Sequence, residues 1–257
     1  MQWKNGMQKS RNWVLLRGLI RGSFHWHKFP EKLAKAFPND KIHLFDSPGN
    51  GLRNTDTSPT KIEDFTQDLR FLARQLDNIQ LIAISLGGMI ALNWLSSYPQ
   101  EVENAFIMNT SLGDTGPFYK RLNYMNYPRI AKSFLKDETV VEKMILELTC
   151  NSIDVQEELL DHNIEMARKY PMNRLNFFRQ IAAAGRSRFD SRLLSYKNLR
   201  LLVSANDRLV HPQNTFNLGH KLGVSPVVHP WAGHDLTLDD PDFVVDYIKS
   251  QLGPIKV

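Results

Sequence analysis

The 257-residue sequence predicts an α/β fold: a mostly parallel, doubly wound sheet with a helical lid inserted after the fourth recognisable strand. Three observations carry this. Apolar runs of strand length alternate with amphipathic helical patterns, the run up to Ile84 lacks a polar face as a buried strand does, and the alternation is interrupted once by a long, purely helical stretch. The core is expected at 1–112 and 190–257, and the lid at 113–189.

The first run, WVLL at 13–16, precedes a helical pattern around 26–37, and IHLF at 42–45 precedes another over 62–76. IQLIAI at 79–84 hands over directly to a helix at 87–97, because apolar spacing changes there from continuous to helical. AFIM at 105–108 is the fourth strand. Residues 113–189 then hold amphipathic stretches such as TVVEKMILELT and ELLDHNIEMARKY, broken by Pro117, Pro128 and Pro171. LRLLV at 199–203, a helix at 212–222, PVV at 226–228 and a helix at 241–251 complete the chain. In open parallel sheets ligands bind beyond the carboxyl ends of the strands. The polar residues there are Arg17, Asp46, Ser85, Asn109 to Ser111, Asp207 and His234, with Gly18 beside Arg17.

Composition sets the outer bounds. With 42% hydrophobic and 23% charged residues the chain can bury one sizeable core plus an insertion. The single cysteine, Cys150, excludes an internal disulfide framework, and the opening 13 residues lack an apolar leader region, so a cytoplasmic location is expected. No window approaches the length of a membrane span. The net charge of +5 is concentrated in residues 1–60, with ten basic against four acidic groups, and no basic stripe interleaved with aromatics points to nucleic acid.

Ser85 lies in Ala83-Ile84-Ser85-Leu86-Gly87, at the corner between a strand and a helix. A nucleophilic serine needs a sharp turn that exposes its hydroxyl, small neighbours that let backbone approach, and N–H groups for the developing oxyanion. A helix N-cap would explain a serine here equally well. The partners decide between the two. His234, on the loop between the last strand and last helix, can reach over the sheet as general base, and Asp207, at the end of LRLLVSAND, is placed to orient it.

With WVLLRG, FDSPGNG, SLGGMIAL, SANDRLVHP and WAGHDLTLDDP spread over nearly its whole length, the chain resembles the α/β-hydrolases of the lidded, serine esterase-like group. The resemblance implies a Ser-His-Asp catalytic triad of Ser85 as nucleophile, His234 as general base and acid, and Asp207 as orienting acid. It implies an oxyanion hole from the backbone N–H groups of Leu19 and Leu86, with Gly18 and Gly87 giving room. Arg17 stands where the family usually has histidine. It is expected either to hold the oxyanion loop through nearby carbonyls or to meet a substrate carboxylate. Ala83 replaces the first glycine of Gly-x-Ser-x-Gly and is still small.

The remaining candidates read as structural. His25 and His27 resemble a metal pair but fall on different helix faces without a third ligand, so no metal is expected. Asp46 is expected to form a turn, and Asp239 and Asp240 to cap the last helix. The aromatics Phe118, Tyr119, Tyr124, Tyr127, Phe134, Phe177 and Phe178 are expected mainly in the core of the lid, with some of them, which the sequence does not single out, lining an acyl pocket.

The expected activity is hydrolysis of a small-molecule or acyl-chain carboxylic ester or thioester through an acyl-enzyme, without cofactor. The alternative is a non-hydrolytic relative, ligand-binding or lyase-like. A dinucleotide-dependent oxidoreductase is excluded because SLGGMIA lacks Gly-x-Gly-x-x-Gly spacing. In outline the chain is also similar to carboxylesterases that cleave pimeloyl-carrier methyl esters, which would make an acyl carrier protein the partner. That reading predicts a strongly basic lid rim, and eleven basic against ten acidic residues in 113–187 do not supply one.

Overall fold

The computed structural model describes residues 10–252, so most of the opening stretch over which no leader is expected lies outside the described residues. Six parallel strands form one sheet: β1 (Asn12–Leu16), β2 (Lys41–Phe45), β3 (Ile79–Ile84), β4 (Val102–Met108), β5 (Leu199–Ser204) and β6 (Val227–His229). Their spatial order is β2-β1-β3-β4-β5-β6. The chain therefore winds outward in one direction from β1 and in the other from β3. The crevice between the ends of β1 and β3 is the topological switch point at which such sheets bind ligands.

Alternate residues of each central strand enter two separate cores. Val14, Leu16, Leu81 and Ala83 face α2 (Ile62–Ala73) and α3 (Leu86–Ser97), whereas Trp13, Leu15, Ile82 and Ile84 join side chains of α1 (Phe29–Ala36) and of the final helix. Burial on both faces is why these strands read as unbroken apolar runs. Between β4 and β5 come only helices: α4 (Phe118–Arg121), α5 (Tyr127–Ser133), α6 (Glu138–Thr149), α7 (Ile153–Lys169) and α8 (Arg174–Arg186). The chain ends through α9 (Gln213–Leu222), α10 (Leu236–Asp239) and α11 (Pro241–Leu252). Among the described residues no helix is long and apolar enough to cross a membrane.

Three expectations need correction. The helix foreseen over 26–37 is a 3-10 turn at Ser23–Trp26 followed by α1, because His27 takes φ 46° and Pro30 restarts the helix. The aromatics of the insertion are not mainly core: Phe118 is 74% exposed, and Tyr119, Tyr124, Tyr127 and Phe178 are exposed too. Of the seven only Phe134 and Phe177 are half-buried, where they border a cavity, since short helices on one layer have no second layer to cover an outer apolar face. Asp240 does cap α11, accepting the Phe243 N–H at 3.0 Å, but Asp239 does not. Its carboxylate accepts the N–H groups of Asn151, Ser152 and Gly233, pinning the α6–α7 corner to the loop before α10.

Candidate active site

Ser85 occupies the turn from β3 to α3 at φ 57°, a conformation strained for a residue with a Cβ. The turn is held on both sides: the Ser85 N–H donates to Met108 O at 3.0 Å, and Thr110 Oγ1 donates to Ser85 O at 2.7 Å. Gly87 is obligatory here, since a Cβ would lie 2.3 Å from Leu16 O and 2.6 Å from Arg17 O. Gly18 approaches from the loop after β1, where a Cβ would stand 3.1 Å from Ser85 Cβ. Leu86 begins α3, so its N–H has no intrahelical acceptor, and Leu19 borders the cavity beside Ser85.

His234 Nδ1 and Asp207 Oδ2 are 2.7 Å apart, and both residues are buried. Asp207 Oδ1 accepts the N–H groups of Leu209 and Val210, each at 2.9 Å, so neither oxygen is free to rotate away. With Nδ1 directed at the carboxylate, His234 presents Nε2 as its remaining nitrogen. Ser85 and His234 border one cavity of about 240 Å³, and no hydrogen bond joins their side chains among the described residues.

Three supporting residues have roles that the sequence does not show, although Asn109 is legible there as a polar residue at a strand end. Asp235 receives Arg17 through both of its carboxylate oxygens, with Nη1 at 3.1 Å from Oδ1, so the Arg17 fork closes on a side chain of the protein itself rather than on carbonyls or a substrate. Burial opposes ionisation of Asp235, but the charge and hydrogen bonds of Arg17 outweigh it and hold the carboxyl below its ordinary range. The Arg17 guanidinium also lies 4.8 Å from the centre of the Trp26 ring. Asn109, at φ 47°, donates to His234 O at 2.7 Å and to Ser204 Oγ at 2.9 Å, tying the ends of β4 and β5 to the histidine loop. Gln180 of α8 accepts the Ile20 N–H at 3.0 Å and so braces the loop that carries Leu19.

The other candidates serve local structure. Asp46 accepts from Ser23 N, Ser23 Oγ and Leu52 N, and burial raises its carboxyl above the usual range against these bonds. His25 Nδ1 accepts the Gly22 N–H at 3.0 Å and its Nε2 abuts Arg21, so neither nitrogen is available to a metal. Cys150 donates to Asp239 Oδ1 at 2.9 Å, and burial pushes its thiol upward, away from thiolate chemistry.

A family model described as "Alpha/beta hydrolase family" matches residues 13–247. No curated protein matches the chain. Among solved structures the chain is similar to a hydrolase from Pseudomonas aeruginosa PA01, at 18% identity and TM-score 0.75 over 97% of this chain and 92% of that one. It is similar to the enol-lactonase from Burkholderia xenovorans LB400, at 16% identity and TM-score 0.75 over 95% and 92%. A third likeness is to 2-hydroxy-6-oxo-6-phenylhexa-2,4-dienoate hydrolase from Rhodococcus sp. strain RHA1, at 16% identity and TM-score 0.76 over 95% and 90%. At these identities the likeness is one of fold.

Proposed function

The chain belongs to the alpha/beta hydrolase family, and from that premise we propose that it is a serine hydrolase of carboxylic esters or thioesters. The observation that carries the reading is that His234, paired with Asp207 at 2.7 Å, borders the same cavity as Ser85, a serine at a strained strand-to-helix turn. In this reading His234 Nε2 takes the Ser85 hydroxyl proton as Oγ attacks the carbonyl carbon. The oxyanion is met by the N–H groups of Leu19 and Leu86. Collapse breaks the ester bond, and the same proton passes from His234 to the leaving alcohol or thiol. Water, deprotonated by His234, then adds to the acyl-enzyme; collapse releases the acid and returns the proton to Ser85. Asp207 keeps Nδ1 protonated throughout, which leaves Nε2 as the base.

Residues 113–189 serve as the lid, with Ile130, Phe134, Val141, Met144, Ile145 and Leu148 supplying an apolar wall to the cavity. This chemistry needs neither metal nor organic cofactor. The test is labelling by a fluorophosphonate together with turnover of nitrophenyl esters of graded acyl length. Wild type is expected to be labelled at Ser85 and to turn the esters over. Ser85→Ala should lose about 10⁴-fold or more in kcat, and His234→Ala should be nearly unlabelled. Full activity surviving in Ser85→Ala would refute the mechanism. A folded wild type that takes no label would favour the ligand-binding alternative.

A further inference from the structure

The cavity contains a cation that these hydrolytic steps leave unused. Arg21, on the loop after β1, has a side chain only 9% exposed and borders the cavity together with Ser85. Its Nη1 donates to both oxygens of Glu142, a buried residue of α6, at 3.0 and 2.7 Å. The same nitrogen lies 3.0 Å from His25 Nε2. Nε and Nη2 donate to no protein acceptor among the described residues. Those two nitrogens form one edge of the guanidinium plane, the geometry that pairs side-on with a carboxylate through two parallel hydrogen bonds.

The rest of the cavity favours an anion at that edge. Arg17 is neutralised by Asp235 and Arg21 by Glu142. Of the charged residues left in the wall, Lys136 and Arg174 are cationic, Glu138 is the acid, and none of the three has an ion-pair partner among the described residues. Most other wall residues are apolar, so a polar group on a bound molecule would find few competing partners. Glu142 occupies Nη1 and thereby fixes the guanidinium plane, leaving its free edge oriented.

We propose that the Nε–Nη2 edge of Arg21 binds a carboxylate carried by the substrate away from its scissile bond, making the natural substrate an ester or thioester with an acidic tail. This rests on the hydrolytic reading of the same site. The test compares 4-nitrophenyl monoesters of adipic and suberic acid with 4-nitrophenyl hexanoate and octanoate, matched in chain length. Wild type is expected to favour the carboxylate-tailed member of one pair at least tenfold in kcat/KM. In Arg21→Gln that ratio should fall to about one, mainly through KM, and Arg21→Lys, which keeps the charge but not the fork, should lie between. Adipate should inhibit octanoate hydrolysis competitively in wild type and at least tenfold more weakly in Arg21→Gln. A wild-type ratio at or below one for both lengths without adipate inhibition, or a ratio unchanged in Arg21→Gln, overturns the subsite while leaving the esterase reading intact. Absence of turnover for all four esters, with Ser85 unlabelled, defeats the esterase reading instead.

Discussion

At the scale of single residues, the candidate site depends on side chains that are absent as much as on those present. Gly87 and Gly18 are the points where two loops cross, and their hydrogens touch what a methyl group would displace. For Gly87→Ala the obstacle is backbone, the carbonyls of Leu16 and Arg17, which cannot rotate aside. The substitution is expected to cost about 1–3 kcal/mol and to lower ester turnover more than tenfold, read as a falling Tm with falling kcat. Gly18→Ala is tight only against Ser85 Cβ, at 3.1 Å, with Ile84 O and Ser85 Oγ in ordinary contact at 3.6 Å, so Ser85 must give by a few tenths of an ångström. Here kcat should fall while Tm changes little, because the displaced group is the proposed nucleophile and its oxyanion loop, not the core. Equal Tm losses in the two variants would contradict this distinction. The glycines were visible in the sequence; which atoms oppose them was not.

At the scale of elements, the loop after β1 and the loop before α10 are joined by Arg17 and Asp235, which lie 218 residues apart in sequence and are both buried. A pair of charges removed from water is costly unless each satisfies the other, so breaking one partner should be worse than removing both. Asp235→Asn is expected to destabilise by about 3–5 kcal/mol, because Arg17 keeps its charge without a counter-ion. Arg17→Met combined with Asp235→Leu should recover most of that loss in urea unfolding while ester turnover stays low, since the two loops lose their link. The pair also has a pH signature. Asp235 ionises more readily folded than unfolded, so its stabilising contribution is complete above the ordinary carboxylate range and is lost as pH falls through its lower folded value. Subtracting the Asp235→Asn profile from that of wild type should isolate this acid limb. The sequence placed Arg17 next to the expected oxyanion loop but could not show its partner, because no local spacing relates residues so far apart.

At the scale of the whole molecule, strand order decides where chemistry can occur. Because β1 and β3 are adjacent and the chain winds away from them in opposite directions, the loops bearing Gly18 and Ser85 meet at one crevice. The helical insertion packs against that crevice through Gln180 and Glu142, and its α6–α7 corner is held by Asp239. The enclosure buries histidines as well. Burial and then the neighbouring Arg17 lower His27 to about 4, and burial and then Arg21 hold His25 well below its ordinary value. Between about pH 6.5 and 4 the unfolded chain therefore takes up protons that the folded chain refuses, and stability must fall with pH. His27→Gln is expected to remove about 2–3 kcal/mol of the loss between pH 7 and 4.5, measured by denaturant unfolding at each pH. An unchanged slope would mean that His27 titrates normally in the fold.

The order of the strands along the chain, the helical insertion after the fourth and the serine at a strand-to-helix corner follow from residue spacing alone, because apolar periodicity is a local property that burial imposes directly. Asp207 and His234 were legible as polar residues after strands, and their juxtaposition is a product of the sheet. Asn109 was legible only as a polar residue at a strand end. The roles of Asp235, Gln180 and Glu142 became visible only in three dimensions, as did the outward exposure of the insertion's aromatics. Each of these depends on what a distant segment brings within hydrogen-bond reach, or fails to cover, and pairings of that kind are fixed by topology and packing rather than by neighbours in the chain.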